Sequence, residues 1–190
     1  MRLVSKLRQH KRVALLLMGL LLFVAGCYLA LLTASPQIIS RKPLPPIKQQ
    51  EIAQDNVLIV PKLNLKLPIN AGSVEVLEKG LWHRFPGRGN PVDGGNFVLS
   101  GHRFAMGLTP WHTLNSSPLY DIDKLKVGDE LYVDWQGKRY TYRITRQYSV
   151  KPNQISIEAP SLTAKMTLYT CTKSGAADGR EVIEARRVDL

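Results

Sequence analysis

Residues 13–32 read VALLLMGLLLFVAGCYLALL, an unbroken stretch without a charged side chain. At the rise of an α-helix it is about 30 Å long, the depth of a bilayer's hydrocarbon core. It lacks the polar face that a helix of a soluble domain turns to solvent. The stretch therefore predicts a transmembrane helix, and it divides the rest of the chain. Arg2, Lys6, Arg8, Lys11 and Arg12 precede it with no acid among them. Residues 1–12 are thus expected in the cytoplasm and everything after the helix outside the membrane. The formal net charge of +11 follows largely from this topology. Residues 1–50 hold eight Lys or Arg and no Asp or Glu, whereas beyond them eighteen basic residues face fifteen acidic ones. A nearly balanced outer domain excludes a nucleic-acid footprint.

Two other fates of the segment leave signatures of their own. A cleaved secretory signal has a shorter apolar core and a small-x-small exit. Here the apolar run reaches Leu32, and Thr33-Ala34-Ser35 is a poor exit. Val24-Ala25-Gly26-Cys27 resembles a lipoprotein processing site with Cys27 acylated, yet Tyr28 to Leu32 stay apolar where such proteins turn polar. An uncleaved helix is the expectation. Cys27 then lies in the span and Cys171 outside it, so the two do not pair within one chain. A lone thiol in an oxidising compartment is a liability unless it is buried, paired between chains or used.

Residues 33–50 include Pro43, Pro45 and Pro46, which disfavour helix and lack ladder donors. An extended, semi-rigid stalk that holds the domain off the membrane is expected. From Glu51 onward short apolar runs alternate with turns. Strands are expected at Asn56–Val60, Leu63–Pro68, Asn96–Gly101, Glu130–Trp135, Lys138–Val150, Met166–Cys171 and Glu181–Val188. Gln136-Gly137 is a hairpin turn between two of them. In the arm after it, Tyr140, Tyr142 and Ile144 share one face and Thr141, Arg143 and Thr145 the other. A short helix fits between Trp111 and Leu125, limited by Pro118. Many brief strands with short helical pieces predict a mostly β fold, a closed or nearly closed β-barrel formed by residues 51–190. A domain of that length buries about two-thirds of its unfolded surface and needs no disulfide or metal.

Cys171 ends an apolar run and is followed at once by the loop residues Thr172-Lys173-Ser174-Gly175. Buried, it is a small hydrophobe of a core strand; at a strand exit beside Lys173 and Arg180, it has the cationic surroundings that favour a thiolate. A nucleophilic thiol also needs a base and a group to hold the developing oxyanion. His102, in Leu99-Ser100-Gly101-His102-Arg103, likewise stands at a strand exit, whereas His83 and His112 sit among aromatic residues in irregular segments. Arg180 opens the last apolar run and is returned beside Cys171 by a small-residue loop; as a solvated charge it needs no function, and as a guanidinium it donates to a substrate carbonyl. The residues alone leave these readings side by side.

Thr167-Leu168-Tyr169-Thr170-Cys171 resembles the TLxTC motif of sortases, the cysteine transpeptidases of bacterial cell surfaces. Ser100-Gly101-His102-Arg103, following Gly94-Gly95-Asn96, is similar to the sortase histidine segment. Arg180 before Val182-Ile183 is similar to the arginine that opens the last long strand, and Leu125 to Glu130 resemble the turn before the middle hairpin. The similarity spans roughly Val57 to Val188. It implies a closed sortase-like β-barrel with His102, Cys171 and Arg180 at one groove. It further implies a thioester on Cys171 formed from an LPxTG-like sorting signal and resolved by an amine, a cell-wall precursor or a pilin lysine. Implied partners are surface proteins bearing that signal; no cofactor or metal is implied, and Asp121, Asp123, Asp129 and Glu130 read as scattered, solvated acids. The subclass is not assigned. A hydrolytic cysteine peptidase with the same residues, and a non-catalytic envelope β-domain that buries Cys171, remain the alternatives.

Overall fold

The computed structural model describes residues 2–188, with side chains from residue 10 onward. Helix α1 spans Arg2–Ile38 and contains a segment, His10–Ile38, long and apolar enough to cross a membrane. The helix therefore outlasts the apolar run and passes through Pro36. Proline removes the donor that would have met the Leu32 carbonyl. Ser35 Oγ donates to that carbonyl instead, at 2.7 Å, and the helix continues for another turn.

The segment after α1 departs from the expected free stalk. Of the expected stalk, residues 33–38 belong to α1, and the residues after them bond to the domain. Arg41 donates to the Leu114 carbonyl at 2.6 Å, and the Leu44 N–H to Asn64 Oδ1 at 3.2 Å. Farther along, Arg139 Nη1 donates to the Ile47 and Gln50 carbonyls at 2.9 and 3.2 Å. Polar backbone that extended proline-rich chain leaves unpaired is thus met by side chains of the domain.

Nine strands follow among the described residues: β1 (Val57–Val60), β2 (Leu65–Asn70), β3 (Leu81–His83), β4 (Gly89–Asn90), β5 (Gly94–Ser100), β6 (Glu130–Trp135), β7 (Lys138–Val150), β8 (Lys165–Thr172) and β9 (Gly175–Arg187). Helix α2 (Pro110–Ser116) is the short helix expected in that region. The sheet runs β3-β2-β1-β6-β7-β9-β8-β5-β4 and closes through β3–β5 pairing, so eight strands form a barrel and β4 is a flap on β5. Pairs β2–β3 and β5–β8 are parallel and the others antiparallel. The fold is the closed β-barrel read from the sequence, with two strands, β3 and β4, that the sequence reading lacked.

Alternation along the strands divides the core in two. Phe97, Leu99, Leu168, Ile183, Tyr142 and Ile144 fill the barrel interior. Val98, Tyr169, Val182 and Val150 form a second cluster on the outer face, with Ile157 from the β7–β8 connection. A bulge in β7 between Ile144 and Arg146 brings the end of that strand into this second cluster. One extra residue reverses the parity of everything after it. Tyr142 and Ile144 point inward, whereas Tyr148 and Val150, which would otherwise follow them inward, pack with the outer cluster.

Candidate active site

Three neighbouring strands bring the sequence-predicted residues to one end of the barrel. In the β8–β9 ladder Cys171 is directly opposite Arg180, and Tyr169 opposite Val182. Paired positions in antiparallel strands project to the same face. Cys171 and Arg180 therefore stand beyond Tyr169 and Val182 on the outer face. In the parallel β5–β8 ladder Ser100 is opposite Tyr169, and the Gly101 N–H carries on to the Tyr169 carbonyl at 3.3 Å. Continuing that register sets His102 level with Cys171.

Side chains that the sequence reading treated only as motif letters hold this junction. Thr170, inward between Tyr169 and Cys171, donates to the Gly101 carbonyl at 2.7 Å, and the contact is buried. The Leu119 N–H donates to the His102 carbonyl at 3.1 Å from the other side. Gly101 fits between them because it has no Cβ: one would lie 2.8 Å from Leu81 Cδ2 and 2.9 Å from Leu119 Cδ1. On the outer face Thr167 Oγ1 donates to Asn96 Oδ1 at 2.7 Å. Asn96 Nδ2 in turn donates to the Ile157 and Ala159 carbonyls at 3.1 and 2.7 Å. The β7–β8 connection is thereby pinned over the groove. The period-2 placement of Asn96, Val98 and Ser100 was the available signal for this, since all three share the face of Cys171 through the ladder.

The groove beneath that connection is a pocket of about 220 Å³ lined by Arg84, Gln154, Ile155, Glu158, Tyr169 and Arg180, among others. Glu158 is buried and compensated: Arg84 Nε lies 3.0 Å from it and the Tyr169 hydroxyl donates to it. Burial, and then the Glu158 carboxylate, push the Tyr169 phenol far above its ordinary range, so it remains a donor. Arg84 is held over the Trp82 ring at 4.7 Å. This Arg84–Glu158–Tyr169 group was not visible in the sequence, because its members are remote in the chain.

The remaining candidates separate clearly. Cys171 is a free thiol, partly exposed. His102 is partly exposed, and its Nε2 lies 3.1 Å from Glu78 Oε1. His83 is buried inside the barrel edge-on to Phe97 and Trp135, with Nε2 2.9 Å from the Gly89 carbonyl. Burial lowers its pKa, so it stays a neutral packing residue. His112 is exposed on α2. The Arg180 guanidinium, expected to face a substrate, donates through Nη1 to the Ala176 and Gly179 carbonyls at 2.7 and 3.0 Å. Those residues form an excursion at the start of β9, where the ladder jumps from Cys171↔Arg180 to Thr172↔Gly175.

Two electrostatic expectations change. Lys173 does not offer an uncompensated charge to Cys171: its Nζ is 3.0 Å from Asp123 Oδ2. Asp123 also receives Arg103 Nη2 at 2.6 Å, so it links the histidine segment to the segment after the cysteine. The acids read as solvated are partnered. Asp121 meets Lys124, Asp129 meets Lys62, and Glu130 meets Arg143, at 2.7 to 2.9 Å. Among the described residues no group of three or more His, Cys, Asp or Glu is arranged to hold a metal ion.

Residues 58–188 match the sortase domain family. The chain is 28% identical over 149 residues to sortase SrtE1 of Streptomyces coelicolor, spanning 70% of this chain and 40% of that one. It is 30% identical over 138 residues to sortase D of Bacillus subtilis, spanning 70% of this chain and 63% of that one. It thus covers less than two-thirds of either curated relative. A solved structure of sortase C from Clostridium perfringens, with the C-terminal cell wall sorting motif, aligns with a TM-score of 0.59 at 29% identity over 83% of each chain. With its barrel topology and the extent of the family match, the chain belongs to the sortase family, whose members are cysteine transpeptidases.

Proposed function

We propose that this chain is a membrane-anchored transpeptidase in which Cys171, His102 and Arg180 carry the chemistry. The observation that supports it best is the ladder register: Cys171 opposite Arg180, with His102 two residues past the end of the adjoining strand. The Cys171 thiolate attacks the backbone carbonyl of the threonine in an LPxTG-like signal. Protonated His102 gives its proton to the departing amine, the C–N bond breaks and a thioester remains. An incoming amine then attacks the thioester, His102 takes its proton, and the sulfur leaves as thiolate. Arg180 donates to the oxyanion formed in both steps, after its guanidinium turns from the Ala176 and Gly179 carbonyls. Acceptor and role, wall attachment or pilus assembly, follow from the amine that the site admits.

The anchor reading has support of its own. Leu32 and Ser35 at the end of α1 are buried, and Gln37 donates to the Tyr120 hydroxyl at 2.6 Å. A helix whose end is buried in this way is suited to being kept, with its basic N-terminus in the cytoplasm and the barrel outside.

The test supplies the full chain in detergent with a panel of LPxTG-like peptides and a small amine. A new amide between peptide and amine is the expected product. Free acid alone, unchanged by the amine, would make the enzyme a hydrolase; no product from any peptide would reject the proposal.

A further inference from the structure

The barrel is not held away from the membrane helix. Tyr28, inside the apolar run, donates its hydroxyl to the Leu108 carbonyl at 2.6 Å. Tyr28 is four residues before the end of that run at Leu32, about 6 Å of helix rise. A tyrosine at this depth places its hydroxyl at the boundary between acyl chains and headgroups, where the aromatic belt of membrane proteins lies. Whatever accepts its hydrogen bond lies in the same layer.

The segment that Tyr28 touches has the composition for that layer. From Phe104 to Tyr120 there is no Asp, Glu, Lys or Arg, in a domain otherwise dense in charge. Its apolar side chains face outward: Leu108 is 82% exposed, Trp111 58%, Met106 56% and Phe104 41%. Other exposed hydrophobics of the domain, such as Val92, Val127 and Leu162, are far apart in the sequence. Single exposed apolar residues are ordinary, whereas a cluster marks a contact surface. Helix α2 packs on α1, so the cluster is fixed beside the span.

We propose that residues 104–111 form a membrane-seated lip, inserted in the outer-leaflet interface of the bilayer next to α1. The inference rests on α1 being the membrane anchor, and on nothing else in the proposed chemistry. Leucine, methionine and aromatic side chains on an uncharged segment are what an interfacial contact needs, and no charge is dragged into the acyl region. His102 lies two residues before the lip. The end of the barrel that carries Cys171 therefore opens at the membrane surface.

The test uses the full chain with Cys27→Ala and Cys171→Ala, reconstituted in phosphatidylcholine–phosphatidylglycerol vesicles. An environment-sensitive fluorophore is placed at Leu108→Cys, at Met106→Cys as a second lip site, and at Leu162→Cys. Leu162 precedes β8 at the end of the barrel away from Cys171. Lip labels are expected to lose most of their emission to a nitroxide carried on the upper acyl chain and to resist aqueous iodide; the Leu162 label should do the reverse. Lip labels quenched by iodide, in protein that floats with the vesicles, would overturn the lip while leaving the anchor intact. Lip labels shielded from both quenchers would mean a protein partner and would equally overturn it. Protein that does not float would remove the anchor and the lip together.

Discussion

At the level of single residues, the proposed chemistry turns on Arg180. It faces Cys171 across the ladder, but only a planar fork of donors both holds the Ala176 and Gly179 carbonyls and swings to an oxyanion. Arg180→Lys is expected to lower kcat/KM by about 10²-fold or more, as loss of an oxyanion donor does. Steady-state kinetics on the preferred peptide checks this, and near-normal turnover would remove Arg180 from the mechanism. Glu78 is different in kind. Its carboxylate is largely exposed, and exposed pairs contribute about 1 kcal/mol at most. Cys171 and His102 stand where an apolar run stops and Arg180 where one begins, and such run ends are a local signal in the sequence. Thr170 was legible only as a letter of a motif, and the Arg84–Glu158 pair not at all. Nothing within a few residues of either partner announces a contact made by folding.

The same division holds among the elements. The hairpin around Gln136-Gly137 was readable because its turn needs left-handed backbone, and both residues adopt it, with φ of 51° and 74°. The faces of β7 were readable as far as Ile144. Beyond it the bulge reverses them, and no periodicity in a single strand shows where a partner strand skips a residue. Strands β3 and β4, at three and two residues, are too short to carry a period. Pro36 lies within α1, where Ser35 supplies the bond that proline removes. Close approach matters at Gly179, just before Arg180, where a Cβ would meet the Val150 carbonyl oxygen at 2.7 Å. Backbone cannot yield as a side-chain tip can, so Gly179→Ala is expected to destabilise by about 1–3 kcal/mol. At Gly87 an added Cβ meets nothing within 4 Å, and the same substitution there should be close to neutral. Thermal unfolding of the two variants side by side makes the comparison; equal melting temperatures would contradict it.

For the whole molecule, one buried ion pair ties the linker to the barrel. Asp134 is fully buried and takes Arg139 Nε and Nη2 at 2.6 and 2.8 Å and the Ala53 N–H at 2.9 Å. Burial works to raise its pKa, but the Arg139 bonds outweigh burial, and the carboxyl titrates below its ordinary value. A depressed acid stabilises the fold above the unfolded-state pKa, about 3.9, and that contribution is lost as pH falls through the lower folded value. Asp134→Asn should therefore cost about 3–5 kcal/mol at neutral pH, by leaving Arg139 without its charge partner. It should also flatten the fall in stability toward acid. Denaturant unfolding between neutral pH and pH 3 measures both, and parallel profiles for the two proteins would contradict the assignment.

The central claim, that strands β5, β8 and β9 deliver a working nucleophile to one face, is tested most directly by intact mass. The full chain is mixed with an LPxTG-like peptide without added amine and quenched in acid. The expected species is the protein plus the acyl fragment, released by hydroxylamine and absent from Cys171→Ala. A wild-type protein that stays unmodified by every such peptide, or an adduct that survives the loss of Cys171, would contradict the claim.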